Sequence, residues 1–204
     1  AVGAYVRVRA DAAGHYTPGV VQPWVAASTS PARRGTSLAE HPDVSGNIVA
    51  WSKVSRLDLW RREGLRFTEE KAYEDQVVAQ QLYTAARGID VVPDVVVHWR
   101  ERADGTSITQ RRHAVPVLQD YLDGMSGGLA VLDAAGRTAA ARSRVRLILG
   151  MDVPALVRVA EHHPDDAYRK LLGAFTRGLT ERAERDGIPL DEDSAALRAA
   201  ALAW

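Results

Sequence analysis

Apolar and polar residues alternate with period two over Val2-Gly3-Ala4-Tyr5-Val6-Arg7-Val8-Arg9, which predicts a half-buried strand over 2–9. Gly/Pro punctuation from Gly14 to Pro23 reads as a turn, followed by an extended segment over 20–26. Residues 28–42 are polar and irregular and read as a long loop. Ile48, Trp51, Val54, Leu57 and Trp60 recur every three residues, which predicts a helix within 46–63 that ends before Gly64. The clearer helix spans 76–87, with Val77, Val78, Gln81, Leu82, Ala85 and Ala86 on one face and Gly88 as its stop. A β-branched stretch over 89–97, interrupted by Pro93-Asp94, reads as one strand or two short ones.

Beyond Arg112 the character changes. Residues 115–122, 128–132, 137–149, 154–162, 166–185 and 194–203 all read as helical, separated by Gly, Pro and Asp. A soft boundary falls near 112–125, dividing a mixed α/β half (1–112) from a mainly helical one (113–204). The stripes at Leu147, Ile148 and Met151, at Leu156, Val157 and Val159, and at Leu171, Leu172, Phe175 and Leu179 need cover. The helical half is therefore expected to pack on the mixed half as a scaffold that performs no chemistry itself.

Composition narrows the function classes. Lys+Arg and Asp+Glu number 26 each in 204 residues, so no global field draws the chain to nucleic acid or anionic lipid. Without cysteine there is no disulfide, thiolate metal site or cysteine nucleophile. The longest apolar runs, Val91-Val92 and Val95 to Val97, are too short to span a bilayer, so no transmembrane segment is expected. The chain begins without Met, inside a strand pattern, and so reads as a piece of something longer.

Three constellations carry chemistry. Glu74-Asp75 heads the 76–87 helix; either carboxylate could cap its orphan amides, and a carboxylate held there is also rigid enough to serve as a base. His98, Arg100, Arg102, Ser107 and Thr109 follow the strand as a basic, hydroxyl-rich loop, with Asp104-Gly105 supplying a turn. They could hold a diphosphate through guanidinium forks and hydroxyls, or form an ordinary solvated loop. Trp51-Ser52-Lys53, followed by Arg66-Phe67, offers an aromatic face and an ammonium, or a core tryptophan beside a surface lysine. Asp191-Glu192-Asp193 and Asp165-Asp166 precede helices and read as caps rather than metal ligands. Adjacent His162 and His163 point apart on a helix and cannot chelate one ion.

The ordered series Trp-x-Lys, Arg-Phe, Tyr73-Glu74-Asp75-Gln76, strand, His-Trp-Arg-x-Arg and Asp-Gly-Thr-Ser-Ile-Thr resembles the second half of a family 2 glycosyltransferase. The likeness runs from about Tyr5 to Arg112 and is densest from Trp51 to Thr109. It implies an α/β fold, the second half of a Rossmann-like GT-A domain followed by a mainly helical region. It is most similar to bacterial enzymes that build cell-wall and capsular polymers, cytoplasmic or peripheral at the inner face of the membrane.

The resemblance further implies an inverting transfer from a nucleotide-diphosphate sugar to a glycan or polymer hydroxyl. It assigns Asp75 as base and Glu74 as its positioner. Arg102, Ser107, Arg100 and His98 would lie on the donor diphosphate, and Trp51 and Lys53 on sugar and acceptor. The complete enzyme would use Mn²⁺ or Mg²⁺, with no tight metal site expected in this chain, and homo-oligomers stay open. The family's nucleotide-binding strands and Asp-x-Asp do not precede Val2. A non-catalytic carbohydrate-binding remnant and a helical interaction module therefore stand as alternatives.

Overall fold

The computed structural model describes residues 1–11, 13–101 and 112–204. It is a mixed α/β protein in which a four-stranded sheet of order β2-β1-β4-β3 carries helices from both halves of the chain. The strands are β1 (Val2–Ala10), β2 (Tyr16–Pro18), β3 (Arg33–Thr36) and β4 (Ile89–Arg100). β1 and β4 run parallel at the centre, while β2 and β3 flank them antiparallel.

β1 departs from the expected half-burial. Val2 to Val6 are all buried, and alternation begins only at Arg7, because a central strand covered on both faces needs no polar side there. β4 is one strand, not two. Its pairing jumps from Gly3↔Val92 to Ala4↔Val95, which places Pro93-Asp94 in a bulge where proline's missing N–H costs no ladder bond. A Cβ on Gly3 would stand 2.5 Å from a Val96 methyl, so this approach of the two strands depends on glycine.

Three local expectations fail for identifiable reasons. Residues 20–26 were expected to be extended, but Pro23 opens α1 (Pro23–Thr29), where its fixed φ suits a first helical position. The expected loop over 28–42 contains β3, which pairs with β4. The helix expected within 46–63 shrinks to α2 (Leu57–Glu63), preceded by 3₁₀ turns at Pro42–Gly46 and Ala50–Ser52. A period of three is the 3₁₀ repeat, and Ser52 Oγ donates to Asn47 Oδ1 (2.8 Å) and Val49 O (3.1 Å), diverting this stretch from an α-helix. Gly64 does end α2, in the left-handed conformation at φ 62°.

α3 (Asp75–Ala85) appears close to its expected place but is rotated. It buries Gln76, Val78, Ala79, Gln80, Leu82 and Tyr83 rather than the apolar stripe through Val77 and Gln81. The cause is α4 (Val115–Ala134), a single helix where two were expected. Cβ atoms on Gly124 and Gly128 would stand 3.3 Å from the side chains of Gln76 and Gln80, so these glycines let the two helices close on a polar face.

α5 (Thr138–Leu147) continues through a π turn (Ile148–Asp152) into α6 (Val153–Ala160); α7 (Asp166–Arg185) and α8 (Ala195–Leu202) complete the bundle. Leu118, Leu122, Met125, Val145, Tyr168 and Leu172 belong to its core. A second core joins Val2, Ile89 and Val91 of the sheet to Ala79 and Tyr83 of α3 and to Leu132, Ala140 and Ala141 of α4 and α5. The helices thus pack directly on the sheet unit. Among the described residues, no helix is long and apolar enough to cross a membrane.

Candidate functional site

The approach to α3 is conformationally unusual. Glu70 and Tyr73 hold positive φ (58° and 59°), a region that side-chain-bearing residues enter only when their surroundings require it. The chain then turns into α3 with Glu74 at the N-cap and Asp75 as the first helical residue. Neither caps the helix: Glu74, in helical conformation itself, makes no side-chain cap bond. The capping role weighed for this pair is therefore not the one it fills. Asp75 Oδ2 instead accepts from the backbone N–H of Ala50 (3.3 Å), in the 3₁₀ turn before Lys53.

Asp75 and Lys53 line one cavity of about 90 Å³, with Ser55 as a third polar group and Trp60, Phe67 and Leu82 among its apolar walls. Burial pushes the Asp75 carboxyl up to about 6, with the neighbouring Glu74 charge adding to the effect and Lys53 opposing it. Burial likewise pushes Lys53 down to about 7, with Asp75 opposing. Lys53 Nζ donates to Val49 O (2.6 Å) and Asn47 Oδ1 (3.0 Å) and lies 5.5 Å from the Tyr83 ring centroid. Among the described ion pairs there is none between Lys53 and Asp75. A carboxyl near 6 is ionised at neutral pH yet basic enough to take a proton, and such perturbed groups concentrate at functional sites.

Trp51 sits next door but faces the sheet. It meets Tyr5 edge-on (centroids 4.7 Å apart, planes at 78°) and Trp99 at 5.7 Å, and remains 41% exposed. The Arg7 guanidinium lies 4.6 Å from the Trp99 ring centroid. His98 and Arg100 are exposed on β4 and do not line the Asp75 cavity. They alternate with Trp99 and so occupy the opposite face of the strand, where Arg100 lies 5.6 Å from the Tyr16 ring centroid. The structure therefore brings Asp75 and Lys53 together, sets Trp51 beside them, and holds His98 and Arg100 apart. Arg102, the Asp104-Gly105 turn, Ser107 and Thr109 lie outside the described residues.

Several contributing residues escaped the sequence reading. Asn47 and Tyr83 hold Lys53, and Tyr83 in turn donates to Asn47 O (2.7 Å). Gln76, Tyr121, Arg144 and Asp152 form a buried polar group behind the head of α3. Gln76 and Gln80, four residues apart on one side of α3, were the visible hint of a buried polar face; Arg144 on an Ala/Arg-rich helix gave none.

The acidic look-alikes behave as expected. Asp165 Oδ1 accepts from Ala167 N (2.8 Å) at the start of α7, and Asp191 Oδ1 from Asp193 N (2.9 Å) ahead of α8. His163 stacks on Tyr168 (4.5 Å) and contacts the carbonyls of His113 and Asp165. No known protein family, curated protein or solved structure gives a significant match to this chain.

Proposed function

We propose that this chain carries the acceptor-side and diphosphate-side residues of an inverting, family 2 glycosyltransferase of GT-A type, acting on a nucleotide-diphosphate sugar and a glycan hydroxyl. The observation that carries the reading is the Asp75 carboxylate. It heads a helix yet is left uncommitted to capping, faces a cavity beside Lys53, and is raised toward neutrality. In the reaction, the acceptor hydroxyl gives its proton to Asp75 as its oxygen attacks the anomeric carbon. The bond from that carbon to the diphosphate breaks, and its electrons leave with the diphosphate. Glu74 keeps Asp75 basic by its adjacent charge.

The cavity is far smaller than the several hundred Å³ typical of a whole-ligand pocket, so it accepts an arm of the acceptor rather than the nucleotide sugar. Arg102 and Ser107 are the proposed diphosphate contacts; Arg100 and His98 are exposed on β4 away from the Asp75 cavity and would meet only a donor that extends beyond it. Among the described residues no three His, Cys, Asp or Glu side chains gather to hold a cation, and Asp191 is committed as a cap.

The test is Asp75→Asn against the parent protein, assayed with nucleotide sugars and glycan acceptors. Turnover should fall by roughly two to four decades with donor binding nearly unchanged. Turnover within a few-fold of the parent overturns the assignment. A second reading, a carbohydrate-binding remnant, is favoured by the exposed Trp51 beside Trp99 and Arg7, a platform that could stack on a sugar without Asp75. Glycan binding that survives Asp75→Asn but is lost in Trp51→Ala, with no sugar transfer at all, selects it.

A further inference from the structure

Glu74 and Asp75 belong to the mixed half, yet the segment that delivers them is fastened by the helical half. Asp120 of α4 accepts from Lys71 Nζ (2.7 Å) and from the backbone N–H of Ala72 (3.1 Å). Tyr73 stacks on Tyr121, centroids 4.0 Å apart and planes at 21°. The Tyr121 hydroxyl donates to Asp152 Oδ1 (2.7 Å), and Arg144 approaches the other oxygen of that carboxylate at 3.3 Å. A second Arg144 nitrogen donates to Gln76 Oε1 (3.0 Å). Arg144 and Asp152 are 3% and 6% exposed.

The chain of contacts ends on residues flanking the Glu74-Asp75 pair, Tyr73 before it and Gln76 after it. That placement matters because Tyr73 holds a φ it adopts only under constraint, and the stack on Tyr121 supplies the constraint. Gly124 completes the clamp, since a Cβ there would stand 3.3 Å from both Tyr73 O and the Gln76 side chain. A buried ion pair contributes little net stability but has one good geometry, which suits it to fixing where α3 begins.

We propose that Tyr121, Arg144 and Asp152 are positioning residues for the Glu74-Asp75 head of α3, acting through Tyr73 and Gln76. They touch no substrate, so the helical half keeps its scaffold character while determining where the Asp75 carboxylate points. The functional weight of the proposal rests on Asp75 being the base, but its test needs no turnover.

Amide hydrogen exchange on the 204-residue chain supplies the readout. The Ala50 N–H, which donates to Asp75, reports the carboxylate's direction, and the Gln76 N–H, which donates to Tyr73 O, reports the helix head. Tyr121→Phe keeps the ring stack and removes the bond to Asp152. It should speed exchange at Ala50 and Gln76 by about tenfold relative to the core amide of Leu129. Arg182→Ala, which severs the pair with Asp133 elsewhere in the bundle, should leave that ratio unchanged. Should Tyr121→Phe fold poorly, Asp152→Asn applies the same test by weakening the Tyr121 and Arg144 contacts. In either variant the Asp75 carboxyl's titration, followed by its side-chain carbon NMR shift, should move toward the ordinary carboxyl range, which loosened packing elsewhere would not cause. Acceleration at Ala50 and Gln76 no greater than at Leu129 overturns the proposal. If the ratio moves as expected while Asp75→Asn retains full turnover, the positioning role stands and the base assignment falls.

Discussion

Acidic residues begin helices in both halves of this molecule, and they do opposite things. Asp165 and Asp191, in the helical half, bend their carboxylates back onto backbone N–H groups two residues ahead. Glu74 and Asp75, in the mixed half, make no such bond, and Asp75 turns instead toward a cavity and Lys53. Asp165 and Asp191 accept from their own helix starts and remain exposed to water. Asp75, held by the distant Ala50 N–H and largely withdrawn from water, carries a stability cost, which a fold retains when the group has another use. The same letters thus separate into scaffold and candidate chemistry by where their oxygens point.

The sharpest break would come from activity. Asp75→Asn should cost about two to four decades of the parent's sugar-transfer turnover. Asp165→Asn, measured beside it, should leave turnover within about twofold, because its oxygen can still accept from Ala167 N. Equal effects would erase the distinction.

A stability comparison comes next. Arg144→Met strands Asp152 in the interior and should cost about 3–5 kcal/mol in urea unfolding. Arg182→Ala removes a partly exposed pair with Asp133 and should cost about 1 kcal/mol or less. Restoring most of the Arg144→Met loss by adding Asp152→Leu would confirm that the stranded charge, not lost packing, is responsible.

The pH dependence then tests whether Asp75 is a liability. Its folded value, about 6, lies above its ordinary 3.8, so the folded state binds the proton more tightly and the parent loses stability as pH rises between those values. Asp75→Asn removes that loss. Relative to the parent it should be more favourable at pH 8 than at pH 4 by an amount on the order of 2 kcal/mol, with the change complete just above pH 6. A difference that is flat with pH would mean Asp75 titrates as an ordinary surface carboxyl. Lys53 works in the opposite direction. Its folded value, near 7, lies below its ordinary 10.5, so its cost is fully present at pH 7 and fades as pH rises toward 10.5.

The smallest effects concern the caps. Asp165→Ala should lower stability by about 1 kcal/mol, whereas Glu74→Ala, losing no cap bond, should stay within about 0.5 kcal/mol. Glu74→Ala should also move the Asp75 titration downward, because it removes the neighbouring negative charge.

Much of this was legible in the residues themselves. The alternation at the N-terminus located β1, the β-branched run located β4, and the caps at Asp165 and Asp191 located the starts of α7 and the α8 segment, because these signals act within a few residues. Glu74-Asp75 stood out as a carboxylate pair at a helix start, and Lys53 as a lysine following an aromatic. The chain pattern alone, however, could not choose between cap and base for Asp75, since that depends on Ala50, a residue 25 positions away. Nor could it orient α3: its polar face is buried because Gly124 and Gly128 admit Gln76 and Gln80, and that close approach exists only once α4 is in place. From its pair with Asp152, Arg144 reaches Gln76 across 68 positions of sequence. Local patterning placed the long elements but not the short ones over 20–63, where β3 exists only by pairing with β4; long-range packing alone decides which atoms of those elements face one another, and the candidate site is made of such facings.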